Sequence, residues 1–210
     1  MKTDGVNLGG VRASNLTAVI PDYSKEKLLI DADIKGPGKA VGPYFDETPL
    51  KDSLGATLQE LQLDGDVNAR LHLDIPLNGE LVTAKGEVTL RNNSLFIKPL
   101  DSTLKNLSGK FSFINGDLQS EPLTASWFNQ PLNVDFSTKE GAKAYQVAVN
   151  LNGNWQPAKT GVLPEAVNEA LSGSVAWDGK VGIDLPYHAG ATYNVELNGD
   201  LKNVSSHLPS

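Results

Sequence analysis

Residues 66–75 read DVNARLHLDI, so that every second side chain from Val67 onward is apolar. Successive side chains of a β-strand point to opposite faces, and this period of two predicts a strand with one dry face and one wet face. Charged and amide side chains would occupy the wet face. The apolar members of the run are Val67, Ala69, Leu71, Leu73 and Ile75.

The same period of two recurs along most of the chain. Pairs of small polar residues, such as Asn115-Gly116 and Asp178-Gly179, stand where tight hairpin turns need positive φ angles. We therefore predict a mainly β fold, in which an elongated, twisted and mostly antiparallel sheet runs as a meander with one wet and one dry face. The further alternating runs lie at 28–34, 86–97, 107–114, 123–127, 132–136, 145–151, 175–185 and 193–201.

Two short helices are predicted to interrupt the strands. Thr48-Pro49 offers a cap followed by a proline in the first turn, and four leucines from Leu50 to Leu61 follow at helical spacing. A second segment with a proline at its start begins at Pro164. We predict helices near 49–61 and 164–171, each of which leads directly into a strand.

The two helix–strand units resemble copies of one pattern. The run LDGDV that begins at Leu63 matches LSGSV, which begins at Leu171, 108 positions later (171 − 63). A second match, of LDIPL at 73–77 with IDLPY at 183–187, follows at an offset of 110 (183 − 73). Repetition of this kind predicts stacked units that bury one another's surfaces.

The chain begins and ends within its strand pattern, and we therefore interpret residues 1–210 as a single β-groove segment of a larger protein. Its two repeat-like units would span about 48–155 and 156–210, with the second continuing beyond the chain. No run approaches the ~18 consecutive apolar residues of a transmembrane helix, and no apolar segment follows the N-terminal charges as it would in a signal peptide.

Composition excludes several classes of function. Eighteen Lys and Arg stand against 25 Asp and Glu, which gives a formal net charge of −7. This balance argues against nucleic acid as a partner, because such binding depends on a basic surface, and equally against a polybasic membrane-binding patch. The absence of cysteine excludes disulfides, thiolate metal sites and cysteine nucleophiles.

No constellation in the sequence points to catalysis. The three histidines, His72, His188 and His207, lack the short spacing of metal ligands. Paired carboxylates such as Asp31 and Asp33 occur in glycoside hydrolases, but alternate charged residues are also typical of the wet face of a strand, and we favour that interpretation. We expect no catalytic residue, no metal site and no cofactor.

The dry face is the remaining candidate for function. It is either the closed core of a sandwich or barrel, or an open apolar trough that binds acyl chains at about 0.8 kcal/mol per buried CH₂. Alternation by itself leaves both interpretations open. On alternation alone, the residues predicted to line the trough are Val67, Ala69, Leu71, Leu73, Ile75, Val88, Leu90, Phe111, Phe113, Trp127, Val147, Val149, Leu151 and Val195.

Two adjacent strand-and-turn motifs carry a family resemblance. The run LSGKFSFINGDL at 107–118, followed by LTASWFNQPL at 123–132, resembles the AsmA-like family of Gram-negative envelope proteins. The helix that leads into residues 61–77 is similar as well. Nearly the whole chain is most similar to an internal segment of one long member of that family.

The resemblance implies a function. It implies a very long periplasmic β-sheet groove in a protein anchored in the inner membrane, which moves phospholipid between inner and outer membranes and supports the outer-membrane permeability barrier. The partners implied are phospholipid acyl chains, together with inner- and outer-membrane contacts made by parts absent here, and no nucleic acid. The family offers no catalytic residues to carry over. The alternative is a structural or adhesive β-repeat module with a closed core and no lipid cargo.

Overall fold

The computed structural model describes residues 2–3, 5–8, 10–21, 26–40 and 55–206. Within them the helices are α1 (Ala56–Glu60) and α2 (Glu165–Ala170). The strands are β1 (Lys2–Thr3), β2 (Val6–Leu8), β3 (Val11–Val19), β4 (Lys27–Pro37), β5 (Leu61–Asp64), β6 (Asp66–Pro76), β7 (Thr83–Ile97), β8 (Ser102–Ile114), β9 (Asp117–Ser120), β10 (Leu123–Trp127), β11 (Gln130–Glu140), β12 (Ala144–Trp155), β13 (Leu171–Gly173), β14 (Val175–Pro186), β15 (Thr192–Asp200) and β16 (Val204–Ser206).

Both predicted helices are confirmed, each leading into a strand. The first is shorter than predicted within the described residues, since α1 begins at Ala56 rather than near residue 49. The predicted cap Thr48-Pro49, with Leu50 and Leu54, lies outside the described residues.

Fourteen strands form one sheet, and all of their pairings are antiparallel. Each long strand pairs with the next long strand along the chain. Most of the connections are short, whereas the longer ones from β4 to β6 and from β12 to β14 contain α1 and α2. The predicted meander is therefore confirmed. The order across the sheet is β1-β3-β4-β6-β7-β8-β10-β11-β12-β14-β15, with β2, β5 and β9 paired beside it. Strands β13 and β16 form a separate two-stranded sheet.

Strands β5 and β6 are consecutive along the chain, and the chain bends between them at Gly65. Both strands pair with β7, and Gly65 stands between them at φ +92°, a conformation that glycine adopts without steric cost. A Cβ atom at this position would lie 2.8 Å from Nδ2 of Asn93. The corner therefore depends on a missing side chain that lets the amide of Asn93 approach the backbone.

Asn93 fixes this corner from the facing strand. Its side chain is 1% exposed, and its Nδ2 donates to the backbone oxygens of Asp64 at 3.0 Å and Asp66 at 3.1 Å. Its Oδ1 accepts from the backbone N–H of Arg91 at 2.8 Å. The β7–β8 register shifts on both sides of Asn93. The side-chain amide thus replaces backbone hydrogen bonds that the bulge interrupts.

Replacing Asn93 with alanine is expected to lower the free energy of unfolding by about 3 kcal/mol, because three backbone groups lose the partner that its buried amide provides. Urea denaturation measures this change. Asn198→Ala is the matched control, since its amide bonds to Asp178 at an exposed site, and it should cost no more than ~0.5 kcal/mol. Equal effects of the two substitutions would contradict the role given to Asn93.

Asparagines mark further bulges in the sheet. Asn15, Asn92 and Asn106 have φ angles of 52°, 54° and 55°, and the strand register shifts beside each of them. Asparagine tolerates this left-handed conformation better than most residues, because its short polar side chain bonds locally. Bulges increase strand twist, so these residues favour a strongly coiled sheet.

The two helix–strand units share a plan. Helix α1 leads through β5 and Gly65 into a long hairpin, and α2 leads through β13 and Gly173 into another. Gly173 also has a positive φ, of 101°, and a Cβ on it would clash with the backbone oxygen of Asn203. The boundaries at 48–155 and 156–210 stay a prediction.

The wet face carries cross-strand polar pairs. The carboxylate of Asp31 lies 2.7 Å from Nδ1 of His72, and that of Asp33 lies 3.8 Å from Nε of Arg70, each directly opposite in register. Such exposed pairs contribute little stability individually. They favour the register that keeps the apolar residues on the other face, because a one-residue slip would exchange the faces.

The dry face contains the buried core. We call its largest buried group the central cluster, which spans β6 to β11, and the smaller group on β12 the tyrosine cluster. The central cluster comprises Val67, Leu90, Leu104, Leu107, Leu123, Ala125, Leu132 and Val134. The tyrosine cluster comprises Tyr145 and Val147.

The molecule exposes more surface than a compact chain of its size. Its accessible area is 13214 Å², whereas a compact monomer of this mass exposes about 9,400 Å². The other sheet in the described part of the chain has two strands of three residues, which are too short to cover fourteen strands. Within the described residues, the dry face is therefore not one layer of a conventional two-sheet sandwich.

Candidate functional site

All fourteen residues predicted to line the trough lie on one face of the sheet. Direct pairing joins Val67 to Leu90, and Val88 lies between Ala69 and Phe111. Since directly opposed residues of an antiparallel pair point to the same face, the register carries this face across successive strands. The same logic connects Val149 on β12 to Val195 on β15 through Val181.

Burial divides these fourteen residues into three groups. Val67, Leu90 and Val147 are buried, and Val195 on the last strand of the order is 67% exposed. The others are half-buried, a state in which an apolar side chain retains contact with water. The half-buried residues are Ala69, Leu71, Leu73, Ile75, Val88, Phe111, Phe113, Trp127, Val149 and Leu151.

Besides Ala125 and Tyr145, five residues of the same face were not predicted as lining residues, although they are more buried than most that were. Leu104 and Leu107 stand three positions apart and are both buried, because the bulge at Asn106 changes the phase of the alternation. Leu123 and Leu132 lie in alternating runs, and their pairing through Ala125–Leu132 and Leu123–Val134 identifies the face. The five are Leu104, Leu107, Leu123, Leu132 and Val134.

Aromatic rings gather at one end of the strands. Trp127 and Phe128 stack with centroids 4.8 Å apart, and Trp155 meets Trp177 edge-on at 4.7 Å. Trp155 also lies 6.3 Å from both Trp127 and Phe128. We call these four residues the aromatic cluster. It contains all three tryptophans of the chain.

Glycine makes room for the aromatic cluster. A Cβ on Gly153 would lie 2.8 Å from Nε1 of Trp155 and 3.0 Å from Nε1 of Trp177. The indole of Trp155 donates to the backbone oxygen of Pro131 at 2.6 Å. These contacts hold the ring planes at the edge of the dry face, where they add apolar surface.

Tyr145 closes the opposite end of the face. It is 0% exposed, and its hydroxyl lies 2.7 Å from the backbone oxygen of Gly116 and 2.8 Å from Oγ1 of Thr138. Burial raises the pKa of Tyr145 to about 12, against the hydrogen bond with Thr138, which lowers it. The hydroxyl is thus a structural group directed at its neighbours.

Tyr145→Phe is expected to lower the free energy of unfolding at neutral pH by about 1–2 kcal/mol, because a buried hydrogen bond is lost. The folded-state pKa lies above the unfolded value of ~10, so this stabilisation is fully present below pH ~10 and is lost as pH rises through about 12. The difference between wild type and variant should therefore shrink above pH ~10. Chemical denaturation at several pH values measures it, and a difference that grows would contradict the assignment.

The dry face is almost uncharged. Of the main-sheet strand residues in register with this face from β6 to β15, Glu140 alone is charged, and it is the last residue of β11. A charged group along the face would retain water and oppose apolar contact. The register instead places Asp, Lys and Arg on the opposite face or in turns. The arrangement favours an apolar ligand over a polar one.

Helix α1 shows that the face is concave. Leu58 packs against the tyrosine cluster on β12, whereas Glu60 pairs with Lys98 beyond β7 at 3.2 Å. In a flat sheet these points would lie four strand spacings apart, ~19 Å, and on the order of 30 Å along the strands. Two residues cannot bridge that distance. The sheet is therefore coiled around its dry side, as its right-handed twist favours.

The histidines do not form a metal site in the described residues. His72 lies on the wet face beside Asp31, and His188 is exposed in the β14–β15 turn. His207 lies outside the described residues. The described ranges contain no group of three His, Cys, Asp or Glu side chains that could hold a metal ion. They also contain no helix with the length and apolar character needed to cross a membrane.

Comparison with known proteins identifies a relative. The family model described as YhdP protein matches residues 1–210. The Escherichia coli (strain K12) protein named "Intermembrane phospholipid transporter YhdP" is 99% identical over 210 residues, which are 100% of this chain and 17% of that protein. The chain thus spans about a sixth of the curated relative it matches. No solved structure matches it. The resemblance predicted from the strand motifs, to an internal segment of one long family member, is confirmed.

Proposed function

The chain belongs to the YhdP family, and from that premise we propose that its concave apolar face carries phospholipid acyl chains between inner and outer membranes. The acyl chains lie against the dry face, and the headgroups stay in water at its rim. By this transport the full-length protein supports the outer-membrane permeability barrier.

One observation carries the proposal: an almost uncharged apolar face continues across successive strands and is half-buried over most of its predicted lining. Apolar surface of this extent on a soluble protein usually marks a binding site. Burial of an acyl chain contributes about 0.8 kcal/mol per CH₂. Because this attraction is non-directional, a chain can slide along the face without breaking specific bonds.

The proposal also gives the segment a location. It lies in the periplasm as part of an inner-membrane-anchored protein, and other parts of that protein make the contacts with the two membranes. Transfer of a lipid along the face breaks and forms no covalent bond. No side chain of the segment is therefore assigned a catalytic role, and no cofactor is required.

A structural module with a closed core is the second candidate. The observation in its favour is the central cluster, in which Leu123 and Leu132 are almost completely buried. Under that alternative the whole dry face is filled by its own side chains. The two candidates differ in whether Leu71 and the other half-buried residues meet lipid.

Photo-cross-linking in cells tests the proposed function. A photoreactive residue at position 71 of the full-length protein, on the dry face of β6, is expected to capture ³²P-labelled phospholipid. The same residue at position 70, on the wet face of the same strand, is the control and is expected to capture little. Equal capture at both positions, or none at position 71, would contradict the proposal.

A further inference from the structure

Helix α1 lies on the concave side of the sheet, where its side chain Leu58 contacts the tyrosine cluster. The surrounding half-buried residues are contributed by three different strands. Leu118 comes from β9, Val149 from β12 and Ile183 from β14. Leu58 packs against the same two buried residues, Tyr145 and Val147, from the connection between β4 and β5, far away in the sequence.

We call the tyrosine cluster and the half-buried residues packed against it the floor. We infer that the floor is a binding site for an acyl chain, the acyl-chain seat, which Leu58 occupies in the absence of lipid and leaves when lipid binds. The inference rests on the proposed function and adds to it a specific site and an internal competitor. A leucine side chain is a short branched hydrocarbon. An acyl segment can therefore replace it against the same apolar surfaces without any new polar contact.

The chemistry of the floor fits this exchange. The hydroxyl of Tyr145 is held by Gly116 and Thr138, so it is not available to a ligand. Val147 is buried and Ile183 lies directly opposite it on β14. The floor therefore presents apolar side chains and the ring of Tyr145 to the group that packs on it, whether that is Leu58 or an acyl chain.

Helix α1 is held weakly enough to be displaced. It has five residues, no side-chain hydrogen bond at its N-cap and no buried residue of its own. Helices this short are not stable without tertiary contacts. Its ion pair between Glu60 and Lys98 is exposed on both sides and contributes little. The packing of Leu58 on the tyrosine cluster is thus one of the contacts that position α1.

The consequence is that α1 and lipid compete for the surface around the tyrosine cluster. While Leu58 packs against the tyrosine cluster, it occupies apolar surface beside Ile183 that an acyl chain would otherwise contact. The apparent affinity of a site falls in proportion to the fraction of time that it is closed. Helix α1 therefore sets how readily lipid enters this part of the face, whereas Leu71 on β6, which lies outside the tyrosine cluster and its packing residues, is unaffected.

The test uses the full-length protein that contains this segment, purified and mixed with vesicles of phosphatidylethanolamine and phosphatidylglycerol. A photoreactive residue replaces Ile183 in one protein and Leu71 in a second. Leu58→Ser is expected to raise lipid capture at position 183 by about threefold or more and to leave capture at position 71 unchanged. Joining Leu58→Cys to Leu185→Cys with a short bismaleimide is expected to abolish capture at position 183 alone.

The outcomes separate the inference from the proposed function. Unchanged capture at position 183 in both variants, with capture at position 71 intact, overturns the seat and leaves lipid transport standing. Absence of capture at both positions in the wild type overturns the proposed function. If Leu58→Ser removes capture at both positions by unfolding the segment, the tethered protein decides, and selective loss at position 183 supports the seat while unchanged capture there overturns it.

Discussion

Leu71→Asp is expected to abolish support of the outer-membrane barrier while leaving the segment folded. Leu71 is half-buried on the concave face and belongs to neither buried cluster nor the residues packed against them. Without lipid, a carboxylate at this position keeps its water. An acyl chain that slides past would displace that water, at a cost of roughly 3 kcal/mol, which slows passage by about a hundredfold.

Cells that lack the full-length protein provide the measurement. Complementation with Leu71→Asp should fail to restore resistance to detergent and to large antibiotics, although the variant accumulates and melts nearly as the wild type does. Val149→Asp should fail in the same way. It should also lose some stability, because Val149 packs against both clusters.

The matched controls place the same charge on the wet face. Asn68→Asp lies on the same strand as Leu71 and faces Lys35 across β4, and Ala148→Asp precedes Val149 at an exposed site. Both should restore the barrier. Asn150 is unsuitable as a control, because its amide donates to Asp135 and a carboxylate there would repel it. If Leu71→Asp unfolds while Asn68→Asp does not, the face around β6 is a closed core.

The second large effect is expected at the centre of the same face. Leu123→Asp should prevent folding, because Leu123 is 1% exposed and a buried unpaired carboxylate costs several kcal/mol, comparable to the whole stability of a domain, roughly 5–15 kcal/mol. Its side chain packs directly on the backbone of Gly109, since a Cβ on Gly109 would lie 2.5 Å from Cδ2 of Leu123. Leu123→Ala should lower the free energy of unfolding by about 3 kcal/mol.

Circular dichroism and urea denaturation measure these effects, and Thr124→Asp is the control. Thr124 is exposed on the wet face beside Leu123, so its substitution should change stability by less than ~0.5 kcal/mol. A folded Leu123→Asp would mean that the centre of the face is open to water. The contrast between positions 71 and 123 thus distinguishes the half-buried lining of the face from the packed central cluster.

The alternation of apolar and polar residues predicted the meander and the common face of residues such as Val67, Val88 and Val149. Period two is reliable here because the register of each antiparallel pair transmits the face to the next strand. The bulges broke that pattern. Leu104 was missed because Asn106 shifts the phase, and a positive φ at an asparagine is not evident from the sequence alone.

The position of helix α1 on the sheet also could not be predicted from the sequence. Leucine spacing indicated a helix that contains Leu58, but its contact with Tyr145 and Val147 joins residues almost ninety positions apart. That contact results from the coiling of the sheet, to which every strand contributes a small twist. The coiling also decides how deeply each residue of the face is buried. Leu71 and Leu123 follow the same alternation in the sequence, yet only Leu123 is fully buried.

The most direct test of an acyl-binding concave face uses the three tryptophans. Trp127, Trp155 and Trp177 all belong to the aromatic cluster on this face, so their fluorescence reports what approaches it. Phospholipid with brominated acyl chains should quench the tryptophan emission of the chain, whereas the same lipid without bromine should not. Quenching by iodide is the control that the tryptophans of the folded chain are accessible. If iodide quenches the emission and brominated lipid leaves it unchanged, acyl-chain binding to the face is contradicted.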